Sequence, residues 1–132
     1  MSNLARFAYD DGSIQWSESD LQMAVASLLR QLGITFAADM NAGRRSARRG
    51  ARLKHEGMAA GEPDLRLYMP GGQVIFIEMK TMRGKLSKVQ RERHDRLRQL
   101  GFEVHVCQEP TPAAAQDFVL GLLNLAKKSK TV

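Results

Sequence analysis

Two strand-forming runs, Pro63 to Met69 and Gln73 to Lys80, flank Pro70-Gly71-Gly72, a composition that folds such runs back on each other as an antiparallel hairpin. The length of the turn governs everything built on it. If Pro70, Gly71 and Gly72 all lie in the loop, Met69 faces Gln73, and counting outward pairs Leu67 with Ile75, Leu65 with Ile77 and Asp64 with Glu78. A Gly71-Gly72 turn alone shifts the register by one residue and sends the two carboxylates to opposite faces. The longer turn also gathers Leu65, Leu67, Ile75 and Ile77 on one face, as a core requires. Val74 to Ile77 is apolar on both faces, which places the second strand centrally in its sheet.

In that register Asp64 and Glu78 are direct cross-strand neighbours, with β-carbons about 4.5 to 5.5 Å apart, and Lys80 shares their face by alternation. Two converging carboxylates suit a hard divalent cation. A bound cation lowers the pKa of water and neutralises phosphate charge, and a lysine beside it can position that water and stabilise the transition state. Met79 points its side chain to the core, and its backbone carbonyl is a candidate further ligand. Each motif has a plainer explanation: Pro-Asp as turn chemistry, Glu-x-Lys as a surface ion pair. Against this, charges ending a central strand are costly unless paired or metal-bound.

The rest of the chain supplies helices and two further strands. Ser17 with Glu18, Ser19 and Asp20 starts a helix, Leu21, Ala24, Val25, Leu28 and Leu32 give its apolar stripe, and Gly33 stops it. Ile34 to Met40 suits a strand, and Asn41 to Gly61 a long flexible loop, with some helix within it as an open alternative. Ser87 to Leu100 is helical, with Ser87 and Gln90 at capping-box spacing and Gly101 after it. Phe102 to Gln108 forms a strand. Ala113 to Lys128 forms a final helix with Phe118, Leu122 and Leu125 on one side. The expected architecture is α/β in the order helix, strand, strand, strand, helix, strand, helix, in one domain over residues 1–132. Residues 1–16 are an N-terminal extension and the core covers about 17–108.

The 132 residues, 43% hydrophobic and 26% charged, match an ordinary globular domain rather than a disordered or fibrous chain. No apolar run reaches the roughly 20 residues that span a bilayer, and no apolar signal segment opens the sequence, so a cytoplasmic or nucleoid-associated setting is expected; by analogy, the small size suits a protein of a phage-infected cell. Cys107 alone cannot form an intramolecular disulfide or a thiolate zinc site, and it reads as a buried thiol. The formal charge is +6, and Arg44, Arg45, Arg48, Arg49, Arg52 and Lys54 crowd the loop ahead of Asp64. Arginine forks match phosphate oxygens, so these residues, with Lys85, are the expected DNA contacts. His55 reads as a solvated loop residue, Trp16 as an N-terminal anchor, and neither His94 nor His105 has metal-ligand spacing to a second histidine or cysteine.

Gly61-Glu62-Pro63-Asp64, Glu78-Met79-Lys80, Leu86-Ser87 and Gln90 together resemble the VRR-NUC family of the PD-(D/E)XK nuclease superfamily. The likeness extends to Glu18 and Leu21-Gln22, to Asn41-Ala42-Gly43-Arg44, to Lys54-His55-Glu56-Gly57 and to Gly84, covering about Glu18 to Cys107. Glu62 departs from it, standing where a hydrophobic residue is more usual. The resemblance implies a restriction-endonuclease-like mixed sheet flanked by helices, magnesium or manganese held by Asp64 and Glu78, and Lys80 as the catalytic lysine. It implies active-site roles for Glu18 and Gln90 as well, beside simpler roles as a first-turn carboxylate and a helix cap. Small single-domain members resemble Holliday-junction resolvases, which implies a homodimer acting on branched DNA. Two alternatives stay open: a basic DNA-binding module without turnover, and a nuclease of flaps or linear duplex.

Overall fold

The computed structural model describes residues 5–8, 14–39, 52 and 54–130, with 5–8 and 126–130 described as backbone only. Its elements are β1 (Ala5–Ala8), β2 (Ile14–Trp16), α1 (Glu18–Gln31), β3 (Thr35–Ala38), β4 (Leu65–Met69), β5 (Gln73–Lys80), α2 (Lys88–Gln99), β6 (Glu103–Gln108) and α3 (Pro112–Lys130). The chain divides into two compact units, one of residues 34–78 and 85–105, the other of residues 1–33, 79–84 and 106–132.

The first unit is organised by the hairpin. Pro70–Gly72 forms a single 3-10 turn in which Gly71 has φ 80°, a left-handed conformation that a β-carbon would oppose. All three residues are therefore in the loop. Met69 faces Gln73, Leu67 faces Ile75 and Leu65 faces Ile77, the register that the longer turn predicts. On the other side of β4, β3 is antiparallel, pairing Ala38 with Leu65. β3 is shorter than the expected Ile34 to Met40, although the Asp39 N–H continues its ladder by donating to the Asp64 carbonyl at 2.8 Å. The strand order is β3-β4-β5-β6. The α2 crossover that returns the chain to lie beside β5 makes β6 parallel to it and the sheet mixed.

Both faces of β5 are covered. Leu65, Leu67, Ile75 and Ile77 are fully buried on one face. On the other, Phe76 clusters with Leu97 of α2 and Val104 of β6, and Phe102 meets the Phe76 ring edge-on at 5.5 Å. α2 starts at a reciprocal capping box: the Gln90 N–H donates to Ser87 Oγ at 3.1 Å, and the Ser87 N–H to Gln90 Oε1 at 2.9 Å. Its C-terminal turn closes when the Phe102 N–H donates to the Leu97 carbonyl and the Arg98 guanidinium donates to the Val104 carbonyl.

In the second unit α1 begins at Ser17, capped reciprocally with Asp20. Leu21, Val25, Leu28 and Leu29 are its buried stripe, each contributing about 1.5 to 3 kcal/mol by leaving water. The stripe differs from the expected one at its end. Leu32 is the C-cap, outside the helical period, and 45% exposed, while Leu29 takes the buried position. α1 packs on α3, where the Gln116 amide donates to the Ala24 carbonyl at 2.9 Å. α3 starts one residue earlier than expected because Pro112 is tolerated in a first helical turn and Thr111 caps the Ala114 N–H. Ala115, Val119 and Leu123 form its buried line. Leu125 is exposed, so the true face lies one residue round from that inferred through Phe118, Leu122 and Leu125. The presumed extension of residues 1–16 holds the antiparallel β1–β2 hairpin, with Trp16 in β2.

Cys107 is fully buried on β6, and burial, with a smaller contribution from the negative charge of Glu109, pushes its thiol up to about 12. The unfolded chain then releases this proton from about pH 9.0 while the folded one holds it, so stability falls as pH rises between those values. Equilibrium unfolding of wild type and Cys107→Ala should show this: the alkaline decline is shallower in the variant, whose stability at pH 7 is lower because of the cavity.

Candidate functional site

Each half of the candidate machinery is built within its own unit. In the sheet unit Asp64 immediately precedes β4, one residue beyond the Leu65–Ile77 pair, and so stands opposite Glu78 of β5. The two offer carboxylate oxygens within 4.8 Å of each other. Asp64 is half-buried and Glu78 is 2% exposed. The Asp64 main chain is fixed by the bond from Asp39, and Glu78 by the centre of the sheet. Two carboxylates that close in a dry setting repel unless a cation or a proton lies between them. The donor set, oxygen only and partly desolvated, fits a hard divalent cation.

The loop entering this pair is held tightly. Gly61 has φ 79°, and a β-carbon there would lie 2.6 Å from the carbonyl oxygen of Val89 in the first turn of α2. Glu62 accepts from Arg93 Nε at 2.8 Å and lies 3.8 Å from the Arg66 guanidinium. The unusual acid at position 62 is thus an ion-pair anchor to α2 and β4. Gln90 does form the cap that its spacing suggested, its Oε1 accepting from Ser87.

A feature not drawn from the sequence is His94. It is fully buried, and its Nε2 lies 3.1 Å from Glu78 Oε1. The signal lay in the helix stripe. α2 carries few apolar residues, and stepping back from Leu97, the one in contact with Phe76, by three and seven residues gives His94 and Gln90. His105 instead pairs with Glu103 at 2.9 Å, and His55 is exposed.

In the other unit Lys80, two residues along β5 from Glu78, is 8% exposed, and its Nζ lies 4.0 Å from Glu18 Oε1 at the start of α1. Gly84 packs beside its stem, where an added β-carbon would stand 3.4 Å from Lys80 Cδ. The Thr81–Gly84 turn is tied down by Gln108, whose amide donates to the Thr81 and Gly84 carbonyls at 2.8 and 2.7 Å. Lys80 is thereby largely withdrawn from solvent on a rigid strand, with a half-exposed acid beside it. Met79 turns its side chain into the core, as alternation requires.

The model of the VRR-NUC domain family matches residues 15–109 of this sequence. The chain belongs to the VRR-NUC domain family. Two solved structures share its fold. One, described as a VRR_NUC domain, is 22% identical with a TM-score of 0.53, covering 77% of this chain and 92% of its own. The other, described as a VRR_NUC domain protein, is 20% identical with a TM-score of 0.55, covering 82% and 85%. No curated protein matches in sequence. This VRR-NUC domain has the expected restriction-endonuclease-like sheet, and its family places it among nuclease domains that process DNA. Among the expected DNA contacts, Arg52, Lys54 and Lys85 are exposed, and Arg52 pairs with Glu56 at 3.5 Å. Arg44, Arg45, Arg48 and Arg49 lie outside the described residues. Among the described residues no helix is long and apolar enough to cross a membrane.

Proposed function

We propose that this VRR-NUC domain is a metal-dependent endonuclease that hydrolyses DNA phosphodiester bonds, with branched DNA such as a four-way junction as its substrate. The observation that carries the reading is the approach of the Asp64 and Glu78 carboxylates to within 4.8 Å at the end of a central strand that also bears Lys80. Asp64 and Glu78 are the residues to hold magnesium or manganese, with the Met79 carbonyl as a further donor. When bound, the cation supplies Lewis acidity, neutralising phosphate charge and making water easier to deprotonate.

The chain's own groups do the rest. Lys80, its Nζ 4.0 Å from Glu18 Oε1, orients the attacking water and meets the negative charge that grows on the phosphoryl oxygens. Glu18 keeps the ammonium at the end of β5. Gln90, with its amide oxygen committed to the cap, offers its amide nitrogen to a phosphate. Arg44, Arg45, Arg48, Arg49, Arg52, Lys54 and Lys85 grip the DNA backbone, and the net charge of +6 favours that encounter. A junction with two equivalent strands calls for two sites related by a two-fold axis, so the working form is a homodimer.

Labelled four-way junction, flap, linear duplex and single strands, each incubated with magnesium or manganese, test the substrate. Paired symmetric nicks confined to the junction are expected. Preferential cutting of flap or duplex overturns the branched-DNA assignment, and tight binding of every substrate without cleavage overturns the enzyme in favour of a binding module.

A further inference from the structure

α2 lies across the face of β5 that carries Phe76 and Glu78, and successive turns of the helix meet successive residues of that face: Leu97 packs with Phe76, and His94 reaches Glu78. The helix is fixed along this line at both ends, by the Ser87 capping box and by the Arg98 bond to the Val104 carbonyl. At the same level Arg93 holds Glu62, two residues before Asp64. We propose that His94 is a positioning residue for the metal site: its Nε2–H donates to Oε1 of Glu78 and fixes the rotation of that carboxylate, so that the other oxygen is turned toward Asp64.

A carboxylate on a strand can rotate about its last two side-chain bonds, and each unfixed torsion costs affinity when a cation orders it. A donor from a separate, rigid helix removes that freedom beforehand. Partners of this kind, which bond a ligand rather than the metal, are worth about 10- to 100-fold in metal affinity. His94 suits the task because it is fully buried and the distance is 3.1 Å, so water does not compete for Oε1. The assignment rests on Asp64 and Glu78 being the metal ligands.

The test is manganese binding to the purified full chain, followed by electron paramagnetic resonance, for wild type, His94→Gln, His94→Asn and Asp64→Ala. Glutamine can set its amide nitrogen near the position of Nε2, whereas asparagine is too short to reach Glu78. His94→Gln is expected within about threefold of wild type, and His94→Asn weaker by about 10- to 100-fold, with circular dichroism and melting showing both folded. Equal affinities for the two variants, whether both wild-type-like or both weakened, overturn the positioning role. Asp64→Ala separates this failure from a deeper one. If it binds manganese as wild type does, the metal site itself is wrong; if it does not bind while both His94 variants do, only the inference about His94 falls.

Discussion

Replacing Lys80 by alanine lowers the rate of DNA cleavage by about 10²- to 10³-fold, the usual cost of deleting one group that stabilises developing charge. The loss falls on turnover rather than on association. Lys80 is 8% exposed and sits at the strand end beyond Glu78, so it contributes little to the long-range attraction of DNA. Nor is it a donor to a cation. Single-turnover cleavage, DNA affinity and manganese affinity measured on the same preparation therefore separate: the first collapses, and the other two stay within a few-fold of wild type. A variant that loses manganese in proportion to rate contradicts this assignment, because Lys80 would then act on the metal site and not on the reacting phosphate.

Among the described glycines whose surroundings are resolved, the largest stability loss from a single added methyl group is expected at Gly61. Its φ of 79° costs an L-residue about 1 to 2 kcal/mol. The new β-carbon would also lie 2.6 Å from the Val89 carbonyl oxygen and 2.9 Å from its carbonyl carbon, both backbone atoms that cannot step aside without moving α2. Crowding of this kind adds about 1 to 3 kcal/mol, so Gly61→Ala destabilises by about 2 to 5 kcal/mol in denaturant unfolding. Gly33→Ala is the control, since it shares a positive φ of 71° but has no atom within 4 Å of the added carbon. It should lose only the conformational part. Equal losses at the two positions would show that the contact with α2 carries no weight.

The hairpin was legible because two independent constraints agreed. Pro70-Gly71-Gly72 specifies a turn with positive φ, and the alternation of Leu65, Leu67, Ile75 and Ile77 fixes the same register. The Ser17 cap and the Ser87–Gln90 capping box lie within three residues of chain, where local bonds decide the outcome, and the structure adds that Asp20 makes the Ser17 cap reciprocal. Helix faces were less secure at their ends. Leu32 and Leu125 extend the apolar period on paper, yet Leu32 leaves the helix as its cap and Leu125 faces solvent. β1 and β2 were overlooked because four and three residues with mixed polarity carry too little periodic signal. His94 was hidden by a different cause: spacing rules search for a second metal ligand, whereas this histidine meets a carboxylate from another element. The anchoring role of Glu62 likewise depends on Arg93, 31 residues away, and no local pattern reports it.

Magnesium-dependent cleavage of a four-way junction by wild type and Asp64→Ala, purified side by side and assayed at equal folded concentration, is the most direct test of the claim that Asp64 and Glu78 form a metal-dependent nuclease centre. The account predicts nicking by the wild type that EDTA abolishes and magnesium or manganese restores, and a loss of at least about 10³-fold in Asp64→Ala, equivalent to about 4 kcal/mol of transition-state stabilisation, with DNA binding retained. Cleavage that survives in Asp64→Ala, or that proceeds in EDTA, would contradict it.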